Sequence, residues 1–77
     1  MPVRNELKAR RIKLRMTQRD VADQVGVTAQ FYGMIEVGKR TPRLGMAFEI
    51  AKIMRAKVQD LFPDVIPSDT RTGSSNG

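Results

Sequence analysis

The chain has no cysteine, no histidine and no tryptophan, and only 1 tyrosine and 3 phenylalanines among its 77 residues. Without cysteine there is no disulfide and no thiolate metal site. Without histidine there is no imidazole ligand and no histidine-based triad or general base. No metal or other cofactor is expected, and no pair of catalytic groups stands at a useful spacing, so the chain does not read as an enzyme. No apolar run approaches the ~18 residues of a membrane span, and no signal-peptide apolar segment is present. The missing cysteines suit a reducing cytosol. The length allows one domain, close to the size at which a single core barely suffices.

Positive charge is what the chain has in excess: 14 Lys and Arg against 8 Asp and Glu, a net charge of +6. The surplus belongs to the part able to fold, since residues 1–63 hold 13 basic and 6 acidic residues. It is also clustered. Arg4, Lys8, Arg10, Arg11, Lys13, Arg15 and Arg19 precede a central segment, and Lys39, Arg40 and Arg43 follow it. A solvated surface would also be charged, but clustering of one sign is the electrostatic footprint that nucleic acid requires.

Periodicity and capping signals predict an all-α fold of five helices, with no competing strand pattern. The first runs from about Asn5, as cap, to near Leu14, with Leu7 and Leu14 inward. Thr17 and Asp20 form a T-x-x-D capping box that starts the second helix, whose inward stripe is Val21, Ala22 and Val25. Gly26 supplies the positive φ of a sharp reversal. Thr28 then caps a third helix with Tyr32 and Ile35 inside, which leaves Ala29, Gln30, Gly33 and Met34 outside, and Gly38 stops it. Thr41-Pro42 begins a fourth helix reaching Met54, with Leu44, Ala47, Phe48, Ile50, Ala51 and Met54 available to the core. A short fifth helix spans about Val58 to Phe62. The expected domain is 1–66. The polar stretch Ser68–Gly77 lacks apolar residues, so 67–77 is expected to be a disordered tail.

Arg11 lies on the buried stripe of the first helix, and Glu36 is the only carboxylate the pattern turns inward. A stranded charge would be costly, so the two are expected to form a structural ion pair.

Two short helices at a steep angle, the second with a small and polar outer face, are the helix-turn-helix arrangement. The residues go further. Thr17-Gln18, Val21-Ala22, Val25-Gly26-Val27, Ile35-Glu36, Gly38-Lys39-Arg40 and Pro42 resemble, in register, the Cro and repressor type of helix-turn-helix. The likeness continues through Leu44, Ile50-Ala51-Lys52, Val58 and Leu61-Phe62, and back to Leu7, Arg11 and Leu14, covering about residues 4 to 63. It implies a compact five-helix repressor-like domain and the same Arg11–Glu36 pair. The chain departs from the pattern at Arg15 and Arg55, where glycines usually end helices. It departs again at Val37, in place of a frequent Asn, and at Lys57, in place of a Ser or Thr cap.

The resemblance implies a sequence-specific, double-stranded DNA-binding transcriptional regulator of repressor type, bacterial or phage, acting in the cytoplasm on the nucleoid. The third helix would enter the major groove with Thr28, Ala29, Gln30, Gly33 and Met34 as base contacts. The Gln30 amide matches adenine N6 and N7, while Ala29 and Met34 offer apolar contact to a thymine methyl. Met34 alternatively tucks into the core, and Gly33 serves either close approach to the duplex or nothing at all. Phe31 is read as packing. Gln18, Arg19, Lys39, Arg40 and Arg43 would hold phosphates, with the adjacent minor groove a second option for Arg43. One such domain covers a half-site, so a homodimer is expected. Val58, Phe62, Val65 and Ile66 would then be its contacts, or else complete the monomer's core. The rival reading is a protein-interaction module of antitoxin type, with the tail Ser68–Gly77 folding on a protein partner.

Overall fold

The structure, a computed structural model, describes residues 4–65. Five helices form there: α1 (Asn5–Lys13), α2 (Gln18–Val25), α3 (Ala29–Glu36), α4 (Leu44–Met54) and α5 (Val58–Leu61), with no strand among the described residues. The expected contacts at Ile66 and in the tail Ser68–Gly77 lie outside the described residues.

Local chemistry sets the helix starts. The Thr17 hydroxyl accepts from the Asp20 N–H at 3.0 Å, and the Asp20 carboxylate accepts from the Thr17 N–H at 2.8 Å. These bonds hold the Asp20 carboxyl below the usual carboxylate range. Thr28 repeats the first half of the device, accepting from the Phe31 N–H at 3.0 Å. The other starts carry no side-chain cap. Arg4, not Asn5, precedes the first turn of α1, and Arg43, not Thr41, that of α4. Lys57 leaves α5 uncapped and four residues long.

The helix ends share one geometry. A residue with positive φ follows each of the first four helices: Arg15 (60°), Gly26 (79°), Gly38 (85°) and Arg55 (56°). The next residue's N–H then reaches back five positions. Met16 donates to the Arg11 carbonyl, Val27 to Ala22, Lys39 to Met34 and Ala56 to Ala51, at 2.9–3.1 Å. This closure satisfies carbonyls that a helix end would otherwise leave bare. Glycine enters the left-handed region freely. An L-residue's Cβ crowds the following carbonyl there. The two arginines at glycine positions therefore end their helices in the usual way, at a cost in backbone strain.

The core joins Leu7, Val21, Ala22, Tyr32, Ile35, Ala47, Ile50, Ala51, Met54, Val58, Leu61 and Phe62. Of the two readings of Val58 and Phe62, completion of the monomer's core is the one that holds: both are buried, because the short α5 folds its apolar side back onto α1 and α4, and they are not available to a second chain. A different expectation changes. Leu44 and Phe48, expected in the core, are 52% and 51% exposed. α4 turns Ala47, Ile50, Ala51 and Met54 inward, and Leu44 and Phe48 fall on another side of the helix.

The strained helix ends give the first testable prediction. Arg15→Gly and Arg55→Gly should each raise unfolding free energy by about 0.5–1 kcal/mol, since relief of the left-handed L-residue exceeds the entropic cost of glycine. Urea unfolding of both variants checks this, and a loss at either position would contradict the strain.

Candidate nucleic-acid interface

The outer face of α3 is held by a buried ionic knot. Arg11 Nε donates to Glu36 Oε2 at 2.5 Å, Nη2 to Oε1 at 3.3 Å, and Nη1 to the Met16 carbonyl at 2.8 Å. The side chains are only 11% and 2% exposed, so the expected pair is present. The hydrogen bond to Glu36 raises the Arg11 pKa above its ordinary value. Gln18 joins the knot, its Nε2 donating to Glu36 Oε1 at 3.2 Å. The buried carboxylate thus links α1, the head of α2 and the end of α3. The Tyr32 hydroxyl is buried beside it without a partner in hydrogen-bond geometry. Burial, then the nearby Glu36 charge, pushes its pKa well upward.

Around this knot the candidate contacts sort by exposure. Thr28 and Gln30 stand exposed at the head of α3. Ala29 and Phe31 are half-buried and pack on the core, as expected for Phe31. Met34 is half-buried but is not among the side chains packed on the core cluster, which disfavours the tucked-in alternative. Gly33 differs from its expected outward place. A Cβ built on it would lie 3.2 Å from Gln18 Oε1, so the missing side chain makes room for Gln18 at the junction of α2 and α3. Gln18 itself is half-buried, with one amide hydrogen engaged by Glu36 and the other free to donate.

The basic residues divide in the same way. Arg19 on α2, and Lys39, Arg40 and Arg43 between α3 and α4, are exposed. The loop is tied down because the Lys39 and Arg40 N–H groups both donate to the Met34 carbonyl, at 2.9 and 3.2 Å. Lys8, Lys13 and Arg15 are also exposed. Arg4, Arg10 and Arg11, counted in the basic cluster from sequence, turn inward to protein acceptors. Arg4 is buried; it donates to the Ile35 carbonyl at 2.9 Å, pairs with Asp64 and lies 5.4 Å over the Phe62 ring. Arg10 donates to the Met54 and Arg55 carbonyls, both at 2.8 Å. Helix C-termini concentrate partial negative charge, and these guanidinium groups neutralise it. No pattern of charge along the chain distinguishes such residues from phosphate ligands. Among the described residues no group of three His, Cys, Asp or Glu side chains could hold a metal ion. No helix among them is long and apolar enough to cross a membrane.

Two helices joined by a Gly26 reversal, with a polar helix head outside and a basic loop beside it, define a helix-turn-helix DNA-binding domain. A helix-turn-helix family model matches residues 7–61, and the chain belongs to that family. It is 42% identical over 60 residues to an uncharacterized HTH-type transcriptional regulator, MJ0272, of Methanocaldococcus jannaschii, covering 78% of this chain and 91% of the relative. A regulator of the same description from Archaeoglobus fulgidus is 38% identical, covering 78% and 84%. The Bacillus subtilis regulator YgzD is 33% identical, covering 78% and 91%. No solved structure matches. The protein is a DNA-binding transcriptional regulator, of a family typically without enzymatic activity. These relatives come from archaea as well as from a bacterium.

The knot predicts a specific stability signature. Arg11→Met should cost about 3–5 kcal/mol by leaving Glu36 buried without its cation, and Arg11→Met with Glu36→Leu should recover much of that. Urea unfolding of the single and double variants is the measurement. A single variant as stable as the parent would show that the pair contributes nothing.

Proposed function

We propose that this regulator is a repressor that binds its operator as a homodimer and reads the major groove with α3. One observation carries the reading. The exposed head of α3, with Thr28 and Gln30, is bracketed by the exposed cations Arg19, Lys39, Arg40 and Arg43. A helix entering the groove there brings polar side chains to base edges while the bracket meets phosphates on either side. Gln30 is the specific reader, with adenine as its match. Thr28, Ala29 and Met34 line the rest of the surface, and Gly33 admits Gln18, whose free N–H serves a phosphate. Bound between promoter elements, such a dimer blocks transcription by occupancy. A promoter–reporter assay with and without the protein tests that sign.

Four cationic phosphate contacts set the salt dependence. Log K against log salt should fall with a slope of roughly −4 per protomer, and Arg40→Ala should reduce it by about one while weakening all sequences alike. Fluorescence titrations at several salt concentrations read the slope, and a flat response would refute phosphate binding by the bracket.

Gln30→Ala should behave differently. The position is exposed, so folding should hardly change. Cognate affinity should drop by about 1–3 kcal/mol with little change on random DNA, and discrimination should relax at one base pair per half-site. Titration against the operator and its single substitutions decides this. Equal losses on cognate and random DNA would remove Gln30 from base reading.

A further inference from the structure

Among the proposed phosphate contacts, Arg40 has its backbone held on both sides. Its N–H donates to the Met34 carbonyl at 3.2 Å, and its carbonyl accepts from Arg4 Nη1 at 3.4 Å. Bonds on either side of one Cα leave φ and ψ little freedom, so the point from which the long side chain sets out is fixed.

The second of these bonds comes from the head of α1. Arg4 Nη1 carries two hydrogens and serves two carbonyls, that of Ile35 at 2.9 Å and that of Arg40. The Arg4 backbone N–H donates to the Glu36 carbonyl at 2.9 Å. One residue thus meets the end of α3 twice and the loop beyond it once. Arg4 is only 8% exposed, so it is no phosphate ligand itself. Its influence on DNA binding passes through the residues it holds.

The guanidinium is aimed from the C-terminal side. Nη2 pairs with the Asp64 carboxylate, and the group lies over the Phe62 ring. A buried cation requires a counter-charge. Glu36 is already engaged by Arg11 and Gln18, so Asp64 fills that place. Because the fork is planar and rigid, a carboxylate on one arm sets the direction of the other.

We propose that Arg4, aimed by Asp64, is a positioning residue for DNA binding: it holds the Arg40 peptide so that the Arg40 side chain reaches phosphate. The proposal rests on the DNA reading above and adds to it two residues that do not touch DNA.

A double-mutant cycle on binding tests it. Arg4→Lys keeps the charge but lacks the planar fork. Asp64→Asn is the milder second variant, since that side chain is 43% exposed. It also removes a negative charge, so overall electrostatics alone would tighten binding, opposite in sign to the proposal. Each is made alone and with Arg40→Ala in the full chain, and thermal melts fix a temperature at which all are folded. Titrations at several salt concentrations use a labelled duplex of random sequence, because phosphate contacts carry no sequence information.

In the parent, Arg40→Ala should weaken binding roughly 5-fold and lower the salt slope by about one. Arg4→Lys and Asp64→Asn should each produce most of that loss alone, and adding Arg40→Ala to either should cost less than about 2-fold more. Additive losses, with Arg40→Ala as costly in the folded variants as in the parent, would overturn the positioning role. So would an Asp64→Asn variant that binds as tightly as the parent or more tightly. Parent-like binding by Arg40→Ala would instead overturn the phosphate reading of Arg40, and its positioning with it.

Discussion

The fold turns on one buried carboxylate. Glu36 accepts from Arg11 and from Gln18, so a single side chain at the end of α3 answers to α1 and to the head of α2. Two charges removed from water seldom add stability over an apolar pair of equal shape. What this pair adds is direction, because carboxylate and guanidinium meet in few geometries and an apolar contact tolerates many. The angle at which α3 is presented is therefore set by a bond, while the Tyr32 and Ile35 packing beneath it supplies adhesion. Gly33 belongs to the same arrangement, since it leaves the space in which the Gln18 amide reaches Glu36.

Much of this could be read from the sequence because its rules are local. Thr17 with Asp20, Thr28, Gly26 and Gly38 announce starts and stops within a few residues of where they act, and each does so in the structure. Arg11 and Glu36 were legible for a different reason: a charge on a buried stripe must find its opposite, and only one candidate was available. At Arg15 and Arg55 the sequence left two outcomes open, an unfavourable φ or a different helix end, and the backbone takes the first.

What escaped was long-range or degenerate. Arg4 and Arg10 reach carbonyls 31 and 44 residues away, and nothing beside them in the chain separates an inward guanidinium from one bound for phosphate. α4 is degenerate instead. Eight of its eleven residues, LGMAFEIAKIM, are apolar, so periodicity offers more than one inner face and cannot choose between Phe48 and Ala47. Packing chooses: α2 and α5 meet α4 along the Ala47, Ile50, Ala51 and Met54 side and leave Leu44 and Phe48 uncovered. Gly33 was misplaced because its reason is a side chain fifteen residues upstream. Thr28 and Gln30 are exposed at the head of α3, on the side away from Tyr32 and Ile35, as the helical spacing implied.

Arg4 and Arg10 make α1 a strut. One arginine, at its head, binds the terminal carbonyls of α3; the other, a turn and a half along, binds those of α4. The two helices that flank the basic loop are thereby joined through a third that lies outside the helix-turn-helix. A segment beginning at Thr17 would retain every letter of the motif and both of its capping threonines, yet it would lose the brace across the loop. The smallest unit able to aim α3 is consequently larger than the motif that names the family, and it includes the helix with the least to say about DNA.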